Sequence, residues 1–301
     1  MNTEALFKRT KDVLKLELAR VVCALFVGVG SLGARVAEEL VRFGVRRIVL
    51  LDKAGEKMEE HNVIRHPLGY SALGRLKIEA MAERLRDINP ECDVKAVGMD
   101  VTREPQQLQE LMEVEGVTEA HVTVDNEPAR HAFNQVALKT KLPLVFYGGV
   151  YNGGVGGEVL RVRPGEACYA CLSSHLGRHL DLSKVPTKAF NYENPDDPEF
   201  KSTSALNLDI NQIAIVQARF SLWSIMAREE PAKDPKFNYV LFGNREVPNL
   251  FPRPLHSEFL TIPRDPDDLI CGEGNGGSGG GGIDYDAEVK KLLAGAKTET
   301  E

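Results

Sequence analysis

The segment that most constrains the fold is GVGSLG at Gly28–Gly33, set between an apolar run, Val21–Val29, and a stretch of helical periodicity. The run is rich in β-branched residues and carries no charge, as suits a strand buried on both faces of a parallel sheet. From Leu32 to Phe43, apolar residues at Val36, Leu40 and Phe43 recur at helical intervals, and Gly44 supplies a stop. Ile48–Leu51 then reads as a second strand, ended by Asp52. Glycines at such a turn let backbone N–H groups and a helix N-terminus approach a phosphate. Asp52 lies nineteen positions past Gly33, where a carboxylate can accept hydrogen bonds from ribose hydroxyls. Gly28, Gly30, Gly33 and Asp52 are therefore candidate nucleotide-binding residues.

The alternation continues with helices at Gly74–Ile88, Gln106–Met112 and Glu127–Lys139 and strands at Asp93–Val97, His121–Val124 and Pro143–Tyr147. It predicts a doubly wound, mostly parallel α/β sheet of Rossmann type. After Gly148, glycine pairs and a Val/Leu/Val alternation predict an antiparallel C-terminal extension. The expected organisation is an N-terminal helical segment (1–20), a nucleotide-binding domain (21–150), a docking and crossover part of the same fold (151–271), and a Gly-rich linker with a short helix at Asp286–Ala296 (272–301). Within the third part, 181–200 reads as a polar crossing segment, Asn207–Met226 as a long helix buried on a wide face, and Phe237–Pro263 as two edge strands. GEGNGGSGGGG at 272–282 has the composition of a flexible linker, natural or introduced.

Hydrophobic residues at 43% and charged residues at 27% are ordinary for a globular chain of 301 residues. No apolar run reaches the roughly eighteen residues of a membrane helix, and the N-terminal stretch lacks a secretory signal's apolar core, so a cytoplasmic protein without membrane partners is expected. A net charge of −7 argues against nucleic acid as a general partner. Five cysteines do not suit a disulfide framework. Cys23 falls in the first strand as a core residue, and Cys92 in a loop; neither reads as a nucleophile.

The nucleotide class turns on residues further along. Asn62, Arg65 and Lys77 follow Asp52, and Asp125 ends a later strand at the same carboxyl edge of the sheet. Hydride transfer has little use for two cations and a carboxylate converging there. Nucleotidyl transfer does, because cations neutralise a triphosphate and a carboxylate can hold Mg²⁺.

GVGSLG, Asp52, the NxxR of Asn62–Arg65, Lys77 in GRLKIEA, INP at Ile88–Pro90, VDN at Val124–Asn126 and CYxC at Cys168–Cys171 together resemble the ThiF/MoeB and ubiquitin-activating-enzyme superfamily over about residues 20–225. The resemblance implies an ATP–Mg²⁺-dependent adenylyltransferase acting on the C-terminal glycine carboxylate of a small ubiquitin-like or sulfur-carrier protein. By the same resemblance Asp52 takes the ribose, Asn62, Arg65 and Lys77 the phosphates beside Asn126, and Asp125 the Mg²⁺. It further implies a homodimer in which Arg9, from LFKRT, enters the partner's ATP site, and a downstream conjugating enzyme or sulfur donor. One departure is a loop two residues longer than usual between Asp52 and Asn62.

Cys168 and Cys171 have zinc-knuckle spacing. Relatives supply a second CxxC near the C-terminus; here Asp268-Leu-Ile-Cys271 places a carboxylate at one of those positions. Cys168, Cys171, Asp268 and Cys271 are thus a candidate Zn²⁺ set, with His175 an alternative fourth ligand and a relic pair of thiols the competing reading. Lys184–Leu206, where relatives carry a reactive cysteine, contains none; Ser202, Thr203 and Ser204 stand there. The glycines of 148–157 suit a groove for an extended carrier tail. Three other functions fit the same fold: a tRNA-base-adenylating dehydratase, an NAD(P)-dependent oxidoreductase, and a nucleotide-binding scaffold that lacks the reactive cysteine.

Overall fold

The computed structural model describes residues 3–10, 13–176, 204–248, 250–268 and 270–272. The crossing segment 181–200, Ser202 and Thr203, the linker from 273 onward and the expected helix at 286–296 lie outside the described residues. Two short helices, α1 (Thr3–Leu6) and α2 (Leu16–Arg20), lead into β1 (Cys23–Val27), α3 (Ser31–Arg42) and β2 (Arg47–Asp52). Then come α4 (Glu60–Val63), α5 (Lys77–Ile88), β3 (Asp93–Gly98), α6 (Pro105–Glu115), β4 (Glu119–Val122), α7 (Glu127–Lys139) and β5 (Val145–Val150). The last part holds β6 (Gly156–Val162), α8 (Tyr169–His175), α9 (Asn207–Met226), β7 (Tyr239–Gly243) and β8 (His256–Leu260).

Among the described residues, eight strands form one sheet in the order β3-β2-β1-β4-β5-β6-β7-β8. The first five run parallel, and β6, β7 and β8 are antiparallel to their neighbours. The change of texture after Gly148 marks this switch from parallel to antiparallel pairing, and the sheet runs through it unbroken: β5 and β6 pair over Val145–Val150. Of the two expected edge strands only β8 is an edge, because β7 is covered by β8 on one side and β6 on the other.

Alternate residues of β1 serve opposite cores. Ala24 and Phe26 join Val36 and Leu40 of α3, Met81 and Leu85 of α5, and Ile213 and Phe220 of α9. Cys23, Leu25 and Val27 join Leu108 of α6, Phe133 of α7, and Tyr169 and Leu172 of α8. That period-two division makes a strand with no solvent face, which is why it reads as an unbroken apolar run. Cys23 and Cys92 are both buried, and burial pushes the Cys92 thiol up to about 12. Among the described residues no helix is long and apolar enough to cross a membrane.

Candidate active site

Strand order reverses direction between β1 and β4, and the crevice outside their carboxyl ends is where open α/β sheets bind ligands. The glycine turn occupies that crevice. Gly28 has φ +92°, a left-handed conformation that a Cβ resists, and its N–H bonds Leu51 O at 2.9 Å. Gly30 is extended and caps α3, with open space where a side chain would be. At Gly33 a Cβ would run into Gly28 O and Thr123 Oγ1, so only glycine lets α3 sit this close to β1 and β4. Thr123 donates its hydroxyl to Gly28 O at 2.8 Å, joining the turn to the end of β4.

Asp52 ends β2 and accepts the Val29 N–H at 2.8 Å and the Lys53 N–H at 2.9 Å. Burial pushes its carboxyl up against the restraint of those two N–H groups and of Lys77. Lys77 opens α5 and holds Glu56 at 3.0 Å, a pair that is largely buried. Asn62 is buried in α4, and its Oδ1 accepts the Glu59 N–H at 3.0 Å, so part of its amide is spent on local structure. Arg65 follows α4 and is half-buried. Asp125 stands exposed beyond β4. Asn126 caps α7 through its side chain, which accepts the Ala129 N–H at 2.9 Å. The turn, Asp52, Lys77 and the Arg65 segment gather at one rim, with Asp125 on the loop that follows Thr123. Arg9 is exposed in the turn after α1.

Three further groups escaped the sequence reading. His66 is buried, its Nε2 2.9 Å from Val29 O and its Nδ1 3.2 Å from Leu68 N. Arg130 is buried beneath the β4–β5 rim and donates to Val124 O and Gly148 O. Tyr169 bonds Arg130 and both Glu127 oxygens, tying the CYxC turn to the start of α7. Tyr169 lies within CYxC, a motif read for its cysteines alone; His66 and Arg130 stand outside the motifs, and the groups that give them their places, Val29 for His66 and Gly148 and Tyr169 for Arg130, lie far off in sequence.

The thiols of Cys168, Cys171 and Cys271 and a carboxylate oxygen of Asp268 all lie within 4.8 Å of one another. Sulfur separations of 3.9 Å for Cys168–Cys171 and 3.3 Å for Cys171–Cys271 compare with about 3.8 Å between thiolates on a tetrahedral zinc. Hydrogen bonds from Cys168 and Cys271 hold the Cys171 thiol far below its ordinary range, and those contacts push Cys168 up. Asp268 Oδ1 takes the N–H groups of Ile270 and Cys271, which orients the carboxylate toward the sulfurs. The donor set fits Zn²⁺. His175, exposed at the end of α8, is not part of it.

Packing accounts for several glycines of the 148–157 stretch. A Cβ at Gly148 would meet Gln217, at Gly156 the Phe242 carbonyl, and at Gly157 the Gly149 carbonyl.

In comparisons with known proteins, the ThiF family matches residues 3–254. The tRNA threonylcarbamoyladenosine dehydratase of Escherichia coli (strain K12) is 35% identical over 133 residues, 44% of this chain and 46% of that protein. Ubiquitin-like modifier-activating enzyme 5 of Bombyx mori is 31% identical over 172 residues, 54% of this chain and 43% of that one. The matched stretches thus span less than half the length of these curated relatives. Among solved structures, E. coli MccB with AMPCPP and MccA superposes with a TM-score of 0.64 at 17% identity, covering 90% of this chain and 75% of that one, a likeness of fold.

Proposed function

The chain belongs to the ThiF family, and from that membership we propose that it is an ATP-dependent adenylyltransferase acting on the C-terminal glycine carboxylate of a small ubiquitin-like or sulfur-carrier protein. The observation that carries this reading is that Asp52 and the segment holding Arg65 and His66 both bond the glycine turn, with Lys77 close enough to act on Asp52 and Asp125 on the loop after Thr123. In this arrangement Asp52 receives the ribose, and the N–H groups at the start of α3 face the phosphates. Arg65 and Lys77 offset the repulsion between the triphosphate and the incoming carboxylate, Lys77 exchanging Glu56 for phosphate as it does so. A carboxylate oxygen of the carrier attacks the α-phosphorus, the bond to the oxygen bridging to the β-phosphorus breaks, and pyrophosphate leaves. Mg²⁺, when bound, neutralises phosphate charge; Asp125, a single exposed carboxylate at the carboxyl edge of β4, suits it. With no cysteine in Lys184–Leu206, the adenylate passes to a nucleophile on a partner, such as a conjugating enzyme or sulfur donor. Arg9 acting on the site of a second copy belongs to the same proposal.

A second reading, adenylation of a modified tRNA base, is favoured by the dehydratase relatives. A net charge of −7 weighs against it. Pyrophosphate exchange into ATP separates the two. A small protein ending in glycine should support exchange, tRNA should not, and Asp125→Ala should lower exchange by roughly a hundredfold or more. Exchange that tRNA stimulates selects the second reading; exchange retained by Asp125→Ala removes the metal assignment.

A further inference from the structure

His66 lies outside every motif used so far, yet it touches the centre of the glycine turn. Its ring is buried, with Nε2 2.9 Å from Val29 O and Nδ1 3.2 Å from Leu68 N. A carbonyl oxygen only accepts and an amide N–H only donates, so the contacts fix the tautomer: Nε2 carries the proton and Nδ1 is bare. From the other side, Asp52 accepts the Val29 N–H at 2.8 Å. Two consecutive peptide planes of the turn are therefore pinned, Gly28–Val29 through its N–H and Val29–Gly30 through its carbonyl. In a trans peptide the carbonyl and the following N–H point to opposite sides. Holding Val29 O toward His66 thus turns the Gly30 N–H away from the ring, at the position that caps α3.

We propose that His66 is a positioning residue for the nucleotide: through the Val29 carbonyl it presets the Gly30 N–H as a phosphate donor and locks the glycine turn to the segment that carries Arg65. The proposal rests on the nucleotide reading above and adds to it a device that holds the turn ready before ligand arrives. Gly30 has no side chain to restrain its own peptide, so without an anchor on Val29 O this plane is free to rotate. The anchor also fixes the register between Arg65 and the turn, two parts of the site that approach the phosphates from different elements.

The test compares His66→Ala and His66→Gln with wild type for equilibrium ATP–Mg²⁺ binding, with thermal unfolding as the control for folding. A glutamine amide can donate to Val29 O and accept from Leu68 N, so it should bind ATP within about threefold of wild type. Alanine should weaken binding about tenfold or more, the loss of one buried hydrogen bond. Nitrogen-15 NMR of wild-type protein should find the ring neutral at pH 7 with its proton on Nε2. Alanine binding ATP as tightly as wild type, glutamine binding it tenfold or more weakly than wild type, or a proton on Nδ1 would each overturn the proposal, and the last two can be read even if the alanine variant fails to fold. Wild type that binds no nucleotide fails the reading of the preceding section as well, whereas wild type that binds while alanine matches it fails this one alone.

Discussion

Val29 is held at both ends of its peptide frame, its N–H by Asp52 and its carbonyl by His66, and each contact has an electrostatic consequence. Burial lowers the His66 imidazole to about 4, and the charges of Lys77 and Arg35 push the same way. An unfolded histidine titrates near 6.5, so between roughly 6.5 and 4 the unfolded chain takes up a proton that the folded one refuses. Stability from this group is complete above about pH 6.5 and declines as the pH falls toward 4, by on the order of 3 kcal/mol. Urea unfolding at pH 7 and pH 4.5 should show a steeper loss in wild type than in His66→Gln; equal losses would remove His66 from the account. At this scale the glycines and Asp52 were legible, because turn geometry restricts residue type locally. His66 was not, since its partner Val29 is 37 residues away and a histidine beside an arginine carries no local signature.

Among the elements, the parallel half of the sheet was legible because the inner strands β1, β2, β4 and β5 are largely buried on both faces and the helices on one, two patterns that periodicity separates, whereas β3 at the edge is mostly exposed. Strand order was less so. Nothing in Phe237–Pro263 distinguishes a covered strand from an edge, and β7 is covered because β8 folds back on it. The candidate metal-binding set joins the start of α8 to Asp268 and Cys271, a hundred residues away. The resemblance and the matching spacing marked Asp268 as a candidate fourth ligand, with His175 as the alternative, and the fold brings the Asp268 carboxylate to the three sulfurs. Tyr169 then ties the cluster to Glu127 and Arg130 of α7, directly after Asp125 and Asn126. Metal analysis should find about one zinc per chain, and stripping it with a chelator should lower the unfolding temperature by several degrees. Protein that is zinc-free as purified, with an unfolding temperature no chelator changes, would leave the cluster as plain thiols.

At the scale of the whole molecule, the ThiF family match is shared with relatives named for different acceptors. The relatives that match in sequence include both a tRNA dehydratase, over 44% of this chain, and an activator of ubiquitin-like modifiers, over 54% of it. The glycines once read as a docking groove are partly required by packing, so they do not choose between acceptors. Every role assigned to the glycine turn, Asp52, Arg65 and Lys77 depends on which nucleotide binds. The most direct measurement is competition binding to the purified full chain: ATP–Mg²⁺ should bind once per chain, Asp52→Ala should weaken it, and NAD⁺ should fail to displace it. NAD⁺ binding in preference to ATP, at a site that Asp52→Ala disrupts, would contradict it.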